Sequence, residues 1–260
     1  MDSSQTDVPL WMRVVLPILG IALLLGGWQA LAQWVVADVA LLPSPVQVAA
    51  TLTAWVTGDG FLPHFLATMQ GTLTGLLIGA SLGVLAGIVV GEVRVLDRAL
   101  YPMALALQAM PMVAIAPLVI VWFGIGVASK VALVSIGTFF VMFINTVAGM
   151  HAAPQPLLDM ARAFGGNRWR IVLMIKIRAS LDYVFSGLEV CAALSFILCV
   201  VGEFLAANAG LGYYVRAASF DINAAGMFAA VTVLAVLASL LAWIMRVTHH
   251  RLVFWKYRKN

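Results

Sequence analysis

The chain has 260 residues, of which 63% are hydrophobic and only 10% are charged. Because soluble domains carry about 25% charged residues, this composition excludes an ordinary soluble globule and indicates one integral membrane domain. The net charge is +4. Clustered Lys and Arg in a membrane protein more often report topology than nucleic-acid binding, so no nucleic-acid partner is expected.

Six apolar stretches are long enough to cross a bilayer, which takes about 20 residues of helix. They cover residues 12–36, 64–91, 101–123, 129–150, 183–206 and 223–246. We therefore predict an all-α integral membrane protein with six transmembrane helices. Its transmembrane domain is predicted over 12–246, between an N-terminal tail at 1–11 and a basic C-terminal tail at 247–260.

Lys and Arg are distributed unevenly between the two sides of the membrane. If the N-terminus is cytoplasmic, 13 of the 15 basic residues lie in cytoplasmic segments, and only Lys130 and Arg216 lie outside. Because positively charged short loops stay in the cytoplasm, both tails are predicted to face it. The connection at 151–182, which holds five of these residues, is predicted to face the cytoplasm too.

Two local signals precede the third span. In the outer connection, Ser44 followed by Pro45 is typical of a helix start, which predicts a short interfacial helix. The second span carries glycine at every fourth position, at residues 71, 75, 79, 83, 87 and 91. Because small residues let helix backbones approach closely in lipid, this stripe predicts a tight packing face. The alternative is the general enrichment of glycine in membrane helices.

The third span contains two prolines, Pro111 and Pro117. Each removes a backbone hydrogen bond, so we expect this helix to be kinked or broken. Broken helices at membrane depth persist where they are buried or line a cavity. The span is therefore the candidate solute path, at Gln108, Met110, Pro111, Met112 and Pro117, the alternative being a bent helix that only packs. These side chains are uncharged, which weakly favours a neutral or aromatic solute over a small oxyanion.

The 151–182 segment combines apolar and basic residues. The sequence LLDMARAF predicts a short helix that ends at Gly165 and Gly166, and a second helix follows with Asn167 as its cap. Such a knob could dock in a groove on a soluble partner or lie on anionic lipid. The residues alone do not separate these two interpretations.

Two acidic residues lie within the fifth span. Glu189 would be costly to bury alone, so we expect a nearby basic partner or water. Glu203 lies twenty residues after Tyr183, about 30 Å along a helix, so we expect it at the outer water boundary. Because Gly210 and Gly212 permit a tight turn, we hypothesise that Glu203 orients a periplasmic gate by accepting hydrogen bonds. The alternative is a solvated Glu that anchors the helix end.

Several kinds of chemistry are not encoded in this sequence. It has no G-x-x-x-x-G-K-[ST] phosphate loop, so the chain is not expected to hydrolyse ATP. No His/Cys cluster predicts a metal site, and no set of catalytic residues can be assembled. Cys191 and Cys199, eight residues apart on one predicted helix, would lie about 12 Å apart and could not form a disulfide with each other.

Five separated motifs, in order, resemble ATP-binding cassette importer permeases. The 151–182 segment is similar to their cytoplasmic EAA loop, with Asp159, Met160, Ala161 and then Gly165 at the motif positions, although Asp159 and Met160 replace the usual Glu and Ala. The stretches AMPMVAIAPLVIVWFGIGVASK, FFVMFINTVAGM, GNRWRIVLMIKI and VVGEFLAANAGLGYYV complete the set. They resemble the branch that includes nitrate, sulfonate, taurine and bicarbonate importers and permeases for thiamine-precursor pyrimidines. We call 151–182 the coupling segment from here on.

The resemblance implies a transport subunit of the bacterial inner membrane, surrounded by lipid, with ATP and Mg²⁺ bound by a separate ATPase and not by this chain. Two permease copies, most simply identical, would surround a central path, and an external binding protein would deliver the solute. A cytoplasmic ATPase dimer would contact Asp159, Met160, Ala161, Gly165, Gly166 and Arg168. The solute itself stays open. The rival functions are a secondary transporter and a membrane enzyme that work without an ATPase.

Overall fold

The computed structural model describes residues 10–36 and 38–253, and every regular element within those ranges is a helix. The helices are α1 (Leu10–Ala30, continued by a π-helical turn at Leu31–Val36), α2 (Pro45–Thr57), α3 (Phe61–Glu92), α4 (Arg94–Gln108), α5 (Met112–Phe123), α6 (Val127–His151), α7 (Gln155–Ala163), α8 (Arg168–Ile171, continued by a π-helical turn at Val172–Lys176), α9 (Ile177–Ala206), α10 (Leu211–Phe220) and α11 (Ala224–Leu252). The prediction of an all-α fold is confirmed. The predicted tails lie largely outside the described residues, and α11 continues past the predicted start of the C-terminal tail.

Within the described residues, five helical stretches are long and apolar enough to cross a membrane, and one bent pair of shorter helices raises the number to six. The five are Val15–Val36, Phe61–Glu92, Val127–His151, Arg168–Ala206 and Ala224–Leu252. The sixth candidate is the pair α4 and α5, which bends by 98°. The prediction of six segments, one of them kinked or broken, agrees with this count.

The predicted third span, 101–123, has different bounds in the structure. Its first helix, α4, begins earlier, at Arg94, and ends at Gln108, and α5 begins directly after Pro111. Proline lacks an N–H group and disfavours helical backbone in the residue before it, so the helix stops here and the chain turns. The break was predicted, but the sharp angle and the early start of α4 were not.

The predicted fifth span, 183–206, is only the outer part of a longer helix. One stretch of 39 residues runs from Arg168 to Ala206, and a π-helical turn at Val172–Lys176 marks its inner part. The second half of the coupling segment is therefore not a loop. It is helix that continues directly into the membrane span.

The glycine stripe of α3 packs against α6. A Cβ atom added at Gly83 would lie 2.6 Å from the carbonyl oxygen of Phe139, and one added at Gly87 would lie 2.6 Å from Cβ of Thr146. Both distances are below 3.0 Å, closer than Cβ atoms approach other heavy atoms in proteins. Only glycine allows this approach, so the predicted packing face is confirmed.

The core of the membrane domain is a layer of three helices, with α6 between α3 and α9. Val134, Met142 and Val147 of α6 are fully buried in it, as are Cys191 and Cys199 of α9. Both cysteines are free thiols, as their helical spacing predicts. We call the end of this layer that carries the coupling segment its inner end and the opposite end its outer end. The layer fixes the relative positions of these ends of α3 and α9.

The short helix α2 lies at the outer end of this layer. Ser44 and Gln47 cap it reciprocally: the Ser44 hydroxyl accepts from the Gln47 backbone N–H at 3.3 Å, and the Gln47 side chain accepts from the Ser44 N–H at 2.9 Å. The predicted cap is confirmed, and the returning bond completes a capping box. The Trp55 ring of α2 stacks on Tyr214 of α10, with 4.0 Å between ring centroids. Because of this contact, α2 holds α10 in place.

Candidate functional site

The coupling segment has the predicted helix–glycine–helix form. The Gly165 N–H donates to the Arg162 carbonyl at 3.0 Å, and the Gly166 N–H donates to the Ala161 carbonyl at 2.8 Å. These two bonds form a Schellman motif, with Gly165 in the left-handed region at φ +72°. The Asn167 side chain then caps the next helix by accepting from the Trp169 N–H at 2.7 Å. Two helices therefore meet at a fixed angle.

One side of α7 is buried and the other is exposed. Leu158 packs with Ala153 and Ile171 in a small apolar cluster, which Ala161 partly joins. Of the predicted contact residues, Asp159 and Met160 face solvent, whereas Ala161 is half-buried. The predicted contact residues are thus split between an exposed face and a packed one.

Phe164 is the largest exposed apolar side chain near the exposed face of α7, with 86% of its surface accessible. It is the helix C-cap, directly before Gly165. The sequence analysis did not include Phe164 among the contact residues. An aromatic residue at a helix end followed by two glycines was the signal that could have identified it.

The coupling segment is fastened to the inner end of α3 by ion pairs, which we call the inner clamp. Both Arg168 and Lys176 donate to the Glu92 carboxylate, at 2.8 and 2.6 Å. Arg168, predicted at the ATPase contact, is therefore engaged within this chain. Sequence reasoning missed Glu92 and Lys176, because nothing local to either residue indicates a partner more than 80 positions away.

Gln108, Met110, Pro111 and Met112 lie at the break between α4 and α5, and Pro117 lies within α5. Gln108, Met110, Pro111 and Pro117 are exposed in the single chain, and Met112 is half-buried. The buried side of α5 packs against α6 and α9. The break therefore presents its uncharged side chains outward from the three-helix layer, where a second copy or a solute could meet them.

At the outer end, Glu203 is buried and fully paired. Its carboxylate accepts from the Thr68 hydroxyl at 2.8 Å, from the Lys130 ammonium at 3.2 Å and from the Gly212 N–H at 2.8 Å. The exposed fraction of Glu203 is 0%. The expectation that Glu203 meets water is wrong, because α3, α6 and α10 cover it. The expectation that it accepts a backbone hydrogen bond matches the contact with Gly212.

The same group fixes the turn between α9 and α10. Lys130 also donates to the Ala209 carbonyl at 3.2 Å, and the Gly210 N–H donates to Nδ1 of His64 at 3.1 Å. Gly210 has φ +137°, and a Cβ atom there would collide with the Glu203 carboxylate. We call Thr68, Lys130, Glu203 and their turn the outer clamp.

The sequence did not reveal Lys130 as part of the outer clamp or His64 as a contact of its turn. Lys130 was counted only as a marker of topology, and His64 was not among the candidate site residues. Their partners are far away in the chain, so pattern alone could not join them. A Lys at the first turn of an apolar span was the available signal, because a buried ammonium needs a counter-charge.

Glu189 has the basic partners that its position requires. Its carboxylate oxygens lie 3.4 Å from Nε of Arg246 and 3.0 Å from Nδ1 of His249, both on α11. The other ring nitrogen of His249 lies 3.1 Å from Asp182. This cluster joins α9 to α11, and the expectation of a basic partner is confirmed.

No group of His, Cys, Asp or Glu suited to hold a metal ion occurs among the described residues. Ion pairs such as Lys130–Glu203 and Lys176–Glu92 tie different helices together.

A protein-family model and several curated permease sequences match this chain. The family model for the binding-protein-dependent transport system inner membrane component matches residues 79–253. The riboflavin transport system permease protein RibX of Chloroflexus aurantiacus is 37% identical over 246 residues, covering 95% of this chain and 91% of that protein. The taurine transport system permease protein TauC of Escherichia coli is 27% identical over 252 residues, covering 95% and 92%.

A solved structure shares the fold. A chain of the bacterial alginate ABC transporter, in complex with alginate pentasaccharide-bound periplasmic protein, aligns with a TM-score of 0.62. The alignment covers 94% of this chain and 98% of that one, at 13% identity. At that identity the likeness concerns the arrangement of helices alone.

Proposed function

This chain belongs to the family of binding-protein-dependent transport system inner membrane components, and we propose on that basis that its coupling segment binds the ATPase. We also propose that it transports a small planar heterocycle, from its similarity to the riboflavin permease. It is a multi-pass inner membrane permease subunit of an ATP-driven importer. It is a transport subunit, and ATP is hydrolysed by a separate partner.

The exposed end of the coupling segment is the observation that carries the proposed ATPase contact. Asp159, Met160 and Phe164 project from a short helix whose other side is packed and whose end is fixed by the Gly165 turn. A rigid amphipathic knob of this kind fits a groove on a soluble partner. The ATPase contact then consists of the exposed groups, with Ala161, Gly165 and Gly166 setting their geometry and Arg168 holding the segment to α3. With this contact, we propose that both chain ends are cytoplasmic, because four of the predicted spans precede the coupling segment and two follow it.

The proposed solute is supported by similarity and by charge. Identity to the riboflavin permease is 37%, against 27% for the taurine permease, over nearly the same length. The side chains at the break between α4 and α5 are uncharged, from Gln108 to Pro117. A sulfonate would gain little there, because an anion in a low-dielectric path needs a counter-charge or directed donors. An uncharged ring system needs neither.

The proposed path requires a second copy of this chain. One chain exposes Gln108, Met110 and Pro111 on the outside of its three-helix layer, so it encloses no channel there by itself. Two copies related by a two-fold axis would bring the same break together from both sides. An external binding protein would deliver the solute at the end where the outer clamp lies, and that clamp, with Glu203, Gly210 and Gly212, would form the periplasmic gate.

Two substitutions of equally exposed phenylalanines test the ATPase contact. Phe164→Asp places a charge on the proposed contact, so we expect loss of co-purification with the ATPase. Phe220→Asp is the control, because Phe220 is 81% exposed at the opposite membrane face. Co-purification of Phe164→Asp at the wild-type level would contradict the assignment of this segment.

The solute is tested separately in proteoliposomes that hold the complete importer and its binding protein. We expect ATP-dependent uptake of riboflavin or a related heterocycle and no uptake of taurine. Uptake of taurine alone would refute the proposed solute class and leave the ATPase contact untouched.

A further inference from the structure

A basic cleft opens at the inner end of α3, between α3, the start of α4 and the coupling segment. Its volume is about 760 Å³. The permanently charged groups that line it are Arg94, Arg162, Arg168 and Lys176, against one carboxylate, Glu92. Glu92 is already bound by Arg168 and Lys176. The lining residues therefore carry an excess of three positive charges, or two when Asp159, the partner of Arg162, is included, and the cleft suits an anion.

An apolar groove adjoins the basic cleft. Its volume is about 280 Å³, and its apolar lining includes Ile88, Val89, Trp169 and Val172. Arg168 lines both cavities. Trp169 is 72% exposed at this groove, and tryptophan is the residue that membrane proteins enrich at the boundary between hydrocarbon and headgroups.

The length of α3 places both cavities at headgroup depth. The helix has 32 residues, which is about 48 Å, whereas the hydrocarbon of a bilayer is about 30 Å thick. One end of α3 therefore extends beyond the hydrocarbon. Glu92 is the single Asp, Glu, Lys or Arg residue of α3 and ends the helix, so the hydrocarbon boundary is inferred to lie between Val89 and Glu92.

We propose that the two cavities together bind one anionic phospholipid of the leaflet on the coupling-segment side. Its phosphate would lie between Arg94 and Arg162, and one acyl chain would follow the groove past Val89 and Trp169. Basic pockets at helix ends on the cytoplasmic side are suited to such headgroups. Arg162 also contacts Asp159 at 2.8 Å, but both side chains are mostly exposed, so that pair is easily exchanged for a phosphate.

The apolar groove distinguishes a lipid from other anions. A soluble phosphate or an acidic segment of the ATPase would match the charge of the cleft. Neither would fill a groove that opens beside the exposed Trp169 at the level of the bilayer. The proposed lipid site requires that the chain spans a membrane. It does not depend on which solute the chain transports.

The test uses the complete importer, with its ATPase, in nanodiscs of phosphatidylcholine. A fraction of the lipid is replaced by phosphatidylglycerol or phosphatidylcholine with brominated acyl chains, which quench tryptophan at contact. The Trp169→Phe variant identifies the signal of Trp169. We expect that signal to be quenched several-fold more strongly by brominated phosphatidylglycerol than by brominated phosphatidylcholine.

Matched arginine variants locate the headgroup. Arg94→Gln combined with Arg162→Gln should abolish the preference for phosphatidylglycerol. Arg98→Gln should preserve it, because Arg98 is an exposed residue of the same helix α4 that lines neither cavity. A preference that survives the double substitution would overturn the proposal.

Two further outcomes would also overturn the proposal in favour of another occupant. Loss of the preference on addition of soluble glycerol phosphate would indicate a site for a free phosphate. A preference seen only after the ATPase is stripped away would indicate that an acidic segment of the ATPase fills the cleft. Equal quenching by both brominated lipids in the complete importer would leave no selective lipid site at all.

Discussion

Glu203→Gln should destabilise the protein strongly, although the two side chains have the same size. The carboxylate is 0% exposed, and the ammonium of Lys130, which it neutralises, is 2% exposed. Removing one member of a buried ion pair leaves the other charge unpaired and costs about 3–5 kcal/mol. The amide introduced at position 203 can still contact Thr68. The expected loss of stability therefore comes mainly from the Lys130 ammonium, which is left buried without a counter-charge.

The assay is equilibrium unfolding of the purified protein in mixed detergent and dodecyl sulfate micelles. Glu203→Gln and Lys130→Met should each lower the free energy of unfolding by about 3–5 kcal/mol. The double variant should recover much of that loss, because it leaves no unpaired charge. Asp221→Asn is the control, since Asp221 is an exposed carboxylate at the turn after α10, and its change should stay within about 0.5 kcal/mol.

The result that refutes this reasoning is a Glu203→Gln variant as stable as the Asp221→Asn control. Additive losses in the double variant would also refute it, because they would show that Lys130 and Glu203 do not depend on each other. The role of this pair in a gate is a separate question. If transport rate and basal ATPase activity of Glu203→Gln match the wild type over a range of pH, the gate role is wrong.

Three further predictions concern other parts of the molecule. Gly83→Leu should lower stability by at least about 1–3 kcal/mol in the same unfolding assay, because its side chain would overlap the backbone of α6; wild-type stability would show that α3 and α6 pack less closely. Gly165→Trp should uncouple ATPase stimulation from transport in a folded protein, because a left-handed backbone disfavours any side chain by about 1–2 kcal/mol; unchanged transport would contradict the role of this turn. Cysteines at Gln108, Met110 and Met112 should react with small polar thiol reagents at rates that depend on bound nucleotide; inertness in every state would mean that this break only packs.

Features carried by neighbouring residues were predictable from the sequence. Glycine recurs at every fourth position of the α3 stripe, so one face of the helix carries no side chains, whichever helix packs against it. The turn at Gly165 and the caps at Ser44 and Asn167 are likewise decided within a few positions. The break at Pro111 was predictable because proline has no backbone N–H to donate to a helical hydrogen bond. The 98° angle between α4 and α5 was not, because it depends on how α5 packs against α6 and α9.

Features that depend on distant residues were not predictable. The position of Glu203 in the bilayer was estimated from the rise per residue of a helix. That rise does not show which neighbouring helices cover a side chain. Its partners Thr68 and Lys130 are 135 and 73 positions away. The ion pairs of the inner clamp were unpredictable for the same reason, because Glu92 and Lys176 are 84 positions apart. Without an approximate packing of α3, α6 and α9, no local pattern could pair these charges.

The inner and outer clamps join the same two helices at opposite ends, and this has a mechanical consequence. Thr68 and Glu92 of α3 are 24 positions apart, and Lys176, directly before α9, is 27 positions from Glu203 of α9, so both struts are about 36–40 Å long. Two struts of nearly equal length, bonded at both ends, resist sliding past each other. A tilt of about 10° imposed at the coupling segment would therefore displace the far end by about 7 Å, given the length of the struts. A small rotation at one end of the layer would become a displacement of several ångströms at the other, and no helix would have to bend.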